Sequence, residues 1–211
     1  MPTGTPRDEK AAQGLIQPIK HYMDKYKLVA LLPIKANSER VPGKNFRNFA
    51  GRPLYRWILD TLLSVEMVER IIINTDAAEL LKKNGLPSDE RIIMRQRRRE
   101  LCGDHINMNR ILQDDLAAIS SETYLMTHAT NPLISGQTIK EACAKFEHEK
   151  QEGYDSLFTA NRMQSRFYSA KGDPINHDPG NLIPTQQLEP WYEENSNLYL
   201  FSRESFAATQ A

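Results

Sequence analysis

The sequence predicts an α/β fold: a Rossmann-like, three-layer, mostly parallel sheet with a loop-rich insertion near its end. Short, continuously apolar runs such as Leu28–Ile34 read as strands buried on both faces. Segments with apolar residues at helical spacing alternate with those runs. After Gly153 the alternation gives way to a stretch rich in proline and polar residues. The strand–helix alternation before that point is the pattern of a parallel sheet wrapped by helices.

Each element has its own local reason. The strand Leu28–Ile34 is followed by a polar loop, Lys35–Asn45. Pro53 opens a helix in which Leu54, Trp57, Ile58, Thr61 and Leu62 fall at helical spacing. A strand at Arg70–Asn74 leads to a helix at Ala77–Asn84, closed by Gly85. A strand at Arg91–Met94 runs into the basic stretch Arg95–Arg99. A helix over Met108–Ser120, a strand over Thr123–His128 and a helix capped by Ser135 and ending near Lys150 complete the alternation. Asp155–Ala160 and Asn197–Phe201 read as further strands, and Arg203–Ala208 as a helical start. Between them, Arg162–Trp191 carries Pro174, Pro179, Gly180, Pro184 and Pro190, too irregular for a separate domain. Residues 1–26 read as a mobile extension with one helical stretch from Ala11 to Tyr26, ahead of a domain over 27–211.

Composition narrows the function. Lys plus Arg and Asp plus Glu each number 27, so the formal charge is zero. That argues against a broad nucleic-acid or membrane footprint, and local basic clusters are expected to serve something small and anionic. Cys102 and Cys143 lie far apart without CxxC spacing, which points to a reducing, cytoplasmic setting and no structural zinc. No apolar run is long enough to span a bilayer.

In an open parallel sheet, ligands sit outside the carboxyl ends of the strands. The loop after the first strand offers Lys35, Arg40 and Lys44 as cations, Ser38 as hydroxyl, Asn37 and Asn45 as amides, and Gly43. Such a loop can wrap a polyphosphate, with backbone N–H groups filling the remaining acceptors. It is neither a Walker A loop nor GxGxxG, and the missing GxGxxG counts against a dinucleotide-dependent oxidoreductase.

The run Leu32–Asn45, followed by Ala50-Gly-Arg-Pro-Leu54, resembles the signature of acylneuraminate cytidylyltransferases, enzymes that make CMP-sugar acids. Ser38, Lys44, Asn45, Gly51, Pro53 and Leu54 match in register. Lys35 stands where that family usually has arginine, which keeps the charge and loses the planar fork. Ile73-Asn-Thr-Asp76 resembles its Ser-Thr-Asp, and Arg97–Asp104 its Arg-Pro-x-Glu-Leu-x-x-Asp. Thr127–Leu133 resembles Leu-Gln-Pro-Thr-Ser-Pro-Leu, with His128 in place of the glutamine. Asn195–Tyr199 resembles Asn-Gly-x-x-Tyr.

The resemblance implies a fold of the nucleotide-diphospho-sugar transferase type and transfer of CMP from CTP to a 2-keto sugar acid with release of pyrophosphate. It implies that Lys35, Ser38, Arg40 and Lys44 neutralise the phosphates. Ile34, Ala36, Asn37, Asn45, Arg97 and Asp104 would complete the nucleotide site. His128, Asn131, Arg162, Arg166, Gln186 and Asn195 would face the sugar acid. It also implies a homodimer through the arm at about 162–192, and Mg²⁺ as cofactor. That family's paired aspartates follow the last strand. Here they would fall beyond Ala211, so the main metal ligands are expected there, with Asp76 the candidate within the chain.

Plainer roles are expected for several residues. Arg95, Arg98 and Arg99 read as a solvated face, and Asp114 and Asp115 as solvent-facing helix positions. Trp57 reads as core and Asp76 as a helix cap. A non-catalytic nucleotide or sugar binder is the alternative to the enzyme.

Overall fold

The computed structural model describes residues 25–209. Nearly all of the predicted helix Ala11–Tyr26 lies outside them, and its last residue, Tyr26, begins a strand instead. In chain order the strands are β1 (Tyr26–Leu31), β2 (Asn48–Phe49), β3 (Arg52–Pro53), β4 (Arg70–Thr75), β5 (Ile92–Gln96), β6 (Ser121–Thr127), β7 (Ser156–Met163) and β8 (Trp191–Phe201). The α-helices are α1 (Leu54–Leu63), α2 (Ala78–Lys83), α3 (Met108–Ala118), α4 (Gly136–Glu149) and α5 (Arg203–Thr209).

The main sheet has the order β5-β4-β1-β6-β8-β7. β1 pairs in parallel with β4 and β6, and β4 with β5. Period-two alternation divides the first strand between the faces. Leu28, Ala30 and Leu32 enter the core layer formed with α1, α2 and α4. Val29 and Leu31 enter the layer under α3, beside Leu112 and Leu116. The run is therefore continuously apolar because both faces are covered, as expected. Regular pairing stops at Leu31, short of the predicted end, because Pro33 has no N–H to give. Ile34 rejoins through a bridge to Thr75 and donates its N–H to Asn74 O at 3.0 Å.

α1 buries Tyr55, Ile58, Leu59 and Leu62 on one stripe, each contributing roughly 1.5–3 kcal/mol. Trp57 is not in the core. It lies half-buried on the opposite flank, where its indole N–H donates to Phe49 O at 2.8 Å and Arg52 covers its ring. Its spacing places it off the stripe of Ile58 and Leu62, and it staples the β2–β3 hairpin to the helix. Ser135 caps α4 as expected, its Oγ accepting from Thr138 N at 3.0 Å.

β8 departs from the parallel pattern and is much longer than Asn197–Phe201. It runs antiparallel to both β6 and β7. The chain leaves β7 at Met163 and returns through the arm at 164–190 on the same edge, so the next strand must reverse. The last pairing of β8 with β6 is Leu198 with Thr127. Residues 191–197 thus project beyond the sheet's carboxyl edge, roughly 20 Å at about 3.3 Å per residue. A bulge sits at the base of this extension. Pairing shifts from Phe158–Tyr199 to Ala160–Glu194, and Thr159 Oγ1 fills the gap by donating to Asn195 Oδ1 at 2.7 Å and accepting from Leu198 N at 3.0 Å. Ser196, where the resembling pattern has glycine, takes φ 53°.

The β2–β3 hairpin turns on Ala50 and Gly51, with φ 48° and 94°, a type I′ geometry. Left-handed backbone costs an alanine about 1 kcal/mol and costs asparagine less. Ala50→Asn should therefore raise stability by about 0.5–1 kcal/mol, read as an upward shift in the urea midpoint at unchanged slope.

Candidate active site

Four parallel strands end on one edge, and their termini bring together most of the residues expected to meet a nucleotide. Behind β1, Ile34 closes the strand and Lys35–Asn45 forms the loop. Asn45 is buried and donates its Nδ2 to Lys35 O at 2.9 Å, which folds the far end of the loop back onto its start. Asp76, at the end of β4, accepts from Ala36 N at 2.7 Å. This corrects the expectation of a helix cap: α2 has no side-chain cap, and Asp76 instead pins the turn after β1. Gly43, at φ 62°, lets the loop enter the single 3-10 turn that carries Lys44 and Asn45.

The loop concentrates positive charge. Burial first, then Lys35 and Arg40, hold the Lys44 ammonium below its ordinary pKa. Burial and Lys44 likewise hold His128 down, so its imidazole is neutral near pH 7. Lys35 pairs with Asp104 across the cleft, which keeps the Asp104 carboxyl below its usual range. Both side chains are about one-third exposed, so the pair adds little to stability. Asn37 and Arg40 are exposed on the loop. Ser38 is buried, and its Oγ has no hydrogen-bond partner among the described residues. A loop that gathers three cations beside a bent backbone is suited to a polyanion.

Arg97 closes the other side. It follows β5, is 5 % exposed, and spans the ends of three strands. Its Nε donates to Asn74 Oδ1 at 3.0 Å, and its Nη2 to Asn74 O at 2.8 Å and Ile34 O at 3.5 Å. Behind it lies a network that the sequence did not disclose. Asn74 Nδ2 donates to Asp115 Oδ1 at 2.8 Å, and Arg95 pairs with both Asp115 and Asp114. Asp114 also takes Arg98 Nε at 2.9 Å. Arg95 is thus an ion-paired inner residue, and Arg98 pairs despite its exposure, whereas Arg99 is exposed as expected. Asp114 and Asp115 are buried, with Asp115 fully so. The available signal was spacing: Asp115 follows Ile111 and Leu112 by four and three residues, so it lies on the apolar face of α3.

The residues expected at the sugar side are more dispersed. His128 follows β6 and borders an apolar groove of about 510 Å³, lined among others by Met126, Leu112, Tyr199, Phe158 and Glu194. Asn131 donates to Ser196 O and Asn197 O at 3.2 and 3.1 Å, clipping the base of the arm to the end of β6. Asn195 is engaged in the bulge. Arg162 is exposed on β7, opposite Tyr192. Arg166 lies inside the arm, donating to Ile183 O at 2.6 Å. Gln186 is exposed on the arm, where its carbonyl accepts from Gln164. The arm brings Trp191 against Phe167 at 5.3 Å between ring centroids.

No group of three His, Cys, Asp or Glu residues among the described residues could hold a metal ion. Asp76 spends Oδ1 on Ala36 N, and Asp104 is paired with Lys35. One remaining Asp76 oxygen does not make a Mg²⁺ site, which needs near-octahedral oxygen ligation. Both cysteines are free thiols, and burial pushes Cys143 up to about 11. No helix among the described residues is long and apolar enough to cross a membrane.

Comparisons with known proteins agree with this geometry. The sequence model of the cytidylyltransferase family matches residues 29–208. The pseudaminic acid cytidylyltransferase of Campylobacter jejuni is 22 % identical over 158 residues, covering 71 % of this chain and 66 % of that protein. The N-acylneuraminate cytidylyltransferase of Oncorhynchus mykiss is 25 % identical over 206 residues, covering 93 % of this chain and 45 % of that protein. This chain therefore spans less than two thirds of the curated relatives it matches. Among solved structures, the CMP:2-keto-3-deoxy-manno-octonic acid synthetase complexed with CTP superposes with a TM-score of 0.64 at 14 % identity, over 87 % of this chain and 77 % of that one. The 4-diphosphocytidyl-2C-methyl-D-erythritol synthase of Anaerococcus prevotii superposes with a TM-score of 0.56 at 16 % identity, over 87 % and 74 %. These structures share the fold.

The network behind Arg97 sets a pH dependence. Burial pushes the Asp115 carboxyl up to about 6, against the opposing pull of Asn74 and Arg95. A raised acid favours the protonated folded state, so this stability is present below the unfolded value and lost as pH rises through about 6. Between pH 4 and 7 the wild type should lose on the order of 2–3 kcal/mol relative to Asp115→Asn. Urea denaturation of both proteins across that range measures the difference.

Proposed function

The chain belongs to the cytidylyltransferase family, and on that premise we propose that it transfers CMP from CTP to a 2-keto sugar acid, releasing pyrophosphate. The observation that carries the reading is the loop after β1, which brings Lys35 and Arg40 close enough to Lys44 to depress its ammonium and which also carries Ser38. The three cations receive the triphosphate, which relieves the burial and the Lys35 and Arg40 charges that depress Lys44. Arg97, fixed across the neighbouring strand ends, lies beside the base. The anomeric hydroxyl of the sugar acid attacks the α-phosphorus in line, the new O–P bond forms as the hydroxyl gives its proton to water, and the bond to pyrophosphate breaks. Catalysis comes from alignment and from cations meeting the charge that builds on the leaving group. Mg²⁺ bound with CTP would supply further neutralisation of the phosphates, with no carboxylate set among the described residues to hold it. His128, neutral and next to Lys44, faces the sugar acid, with the arm above it.

The same reading makes the protein a homodimer joined through the arm. Tyr168, Ile175, Leu182 and Tyr192 are each at least half exposed there, a density of apolar surface that a monomer leaves in water. Light scattering at micromolar concentration should return twice the chain mass, and a monomeric mass would remove the arm as an interface.

Lys44→Ala should weaken CTP binding by roughly 1.5–3 kcal/mol, the worth of one charge-assisted contact. Calorimetry on the folded variant, with ATP and GTP as comparators, tests both the loop and the preference for cytidine. Unchanged CTP affinity would remove the loop from the site.

A further inference from the structure

Arg97 is held by a chain of contacts that begins on a different helix. Asp115, on α3, is fully buried, and its Oδ1 accepts from Asn74 Nδ2 at 2.8 Å. Asn74, on β4, accepts Arg97 Nε at 3.0 Å through its own Oδ1. A carboxamide has one accepting and one donating end, and the two ends are not interchangeable here. A carboxylate only accepts, so Asp115 draws the Asn74 NH₂ toward α3. The Asn74 oxygen then has to face Arg97. Turned the other way, the NH₂ would meet guanidinium donors and the oxygen would meet a carboxylate. Arg95 pairs with Asp115 and Asp114 together, which fixes the carboxylate that does the orienting.

The backbone completes the grip. Asn74 O and Ile34 O take Arg97 Nη2. Nη1 has no partner among the described residues, so it is the edge of the fork left for a ligand. We propose that Asp115, acting through the Asn74 carboxamide, is a positioning residue that sets the guanidinium of Arg97 for the nucleotide base. The proposal rests on the reading that CTP binds along this edge with its base beside Arg97. It adds a component that touches no substrate: a buried side-chain relay from the far side of the sheet.

The relay predicts coupling, which a merely structural contribution from each residue does not. Asp115→Ala and Asn74→Ala should each weaken CTP about tenfold, as loss of a hydrogen bond within a charged network does. The double variant should be no weaker than either single one. Inorganic tripolyphosphate, which needs only the Lys35–Asn45 loop, should bind all of them as it binds the wild type. Calorimetry with both probes on the full chain provides the measurement. Unchanged CTP affinity in the single variants, additive losses in the double one, or tripolyphosphate binding that falls in step with CTP would each overturn the relay. Should Asp115→Ala fail to fold, Asp115→Asn carries the test. It retains an oxygen that Asn74 can donate to, and should bind CTP within about threefold of the wild type. A loss as large as that of Asn74→Ala would overturn the relay. A wild type that binds tripolyphosphate and not CTP would overturn the reading of the base site, and the proposal with it.

Discussion

A guanidinium buried at the carboxyl edge of a parallel sheet constrains everything around it. Arg97 cannot sit there without acceptors, because an unpaired charge in so dry a place costs several kcal/mol. It finds them in the end of its neighbour β4 and in the carbonyl of Ile34, which follows β1. Three strand termini are thereby held at fixed spacing, and the loop that departs from Ile34 starts from a rigid post. Asn45 and Asp76 then shape that loop by bonding to its backbone. The cations are brought close by this folding, at the expense of Lys44, whose ammonium is depressed by burial and then by Lys35 and Arg40. A polyanion relieves such crowding, which is why a site of this kind can be well folded and still strongly disposed to bind.

Much of this edge was legible because the strands are buried on both faces. Leu28–Ile34 and Arg70–Asn74 are continuous apolar runs for a reason that acts locally, and each ends where polar residues begin. The loop was legible for the same reason: cations, hydroxyl and glycine are contiguous in the chain. The antiparallel β8 was harder. Its outer half, Trp191–Asn195, carries charged and polar residues because both of its faces are open to water, so no burial pattern marks it as strand. The relay behind Arg97 was harder still. Asn74, Arg95, Arg97 and Asp115 come from two strands, a loop and a helix, and only folding makes them neighbours. Polar side chains on an apolar face look like exceptions to a helical stripe unless their partners are known.

Some residues grouped by sequence register serve different ends in space. Asn131 and Asn195 stand in segments that resemble sugar-site motifs, yet the Asn131 amide is occupied in joining the end of β6 to the base of the arm and the Asn195 amide in joining β8 to β7 at the bulge. Asp104 resembles a nucleotide-site residue and is engaged with Lys35. Position in a motif and chemistry at a site are separable, since side chains that lock a loop are as constrained as those that meet a ligand.

The bulge at Thr159 has a consequence of an evolutionary kind. Pairing below it is tied to the sheet, and pairing above it belongs to the arm alone, with Thr159 plugging the seam. Insertions or deletions above the seam leave the register of Leu198 with Thr127 untouched. The arm is therefore a segment that descent can lengthen, shorten or exchange wholesale, while the half of the protein that carries the cationic loop is inherited intact. A lineage can change what it joins to without relearning how it holds on.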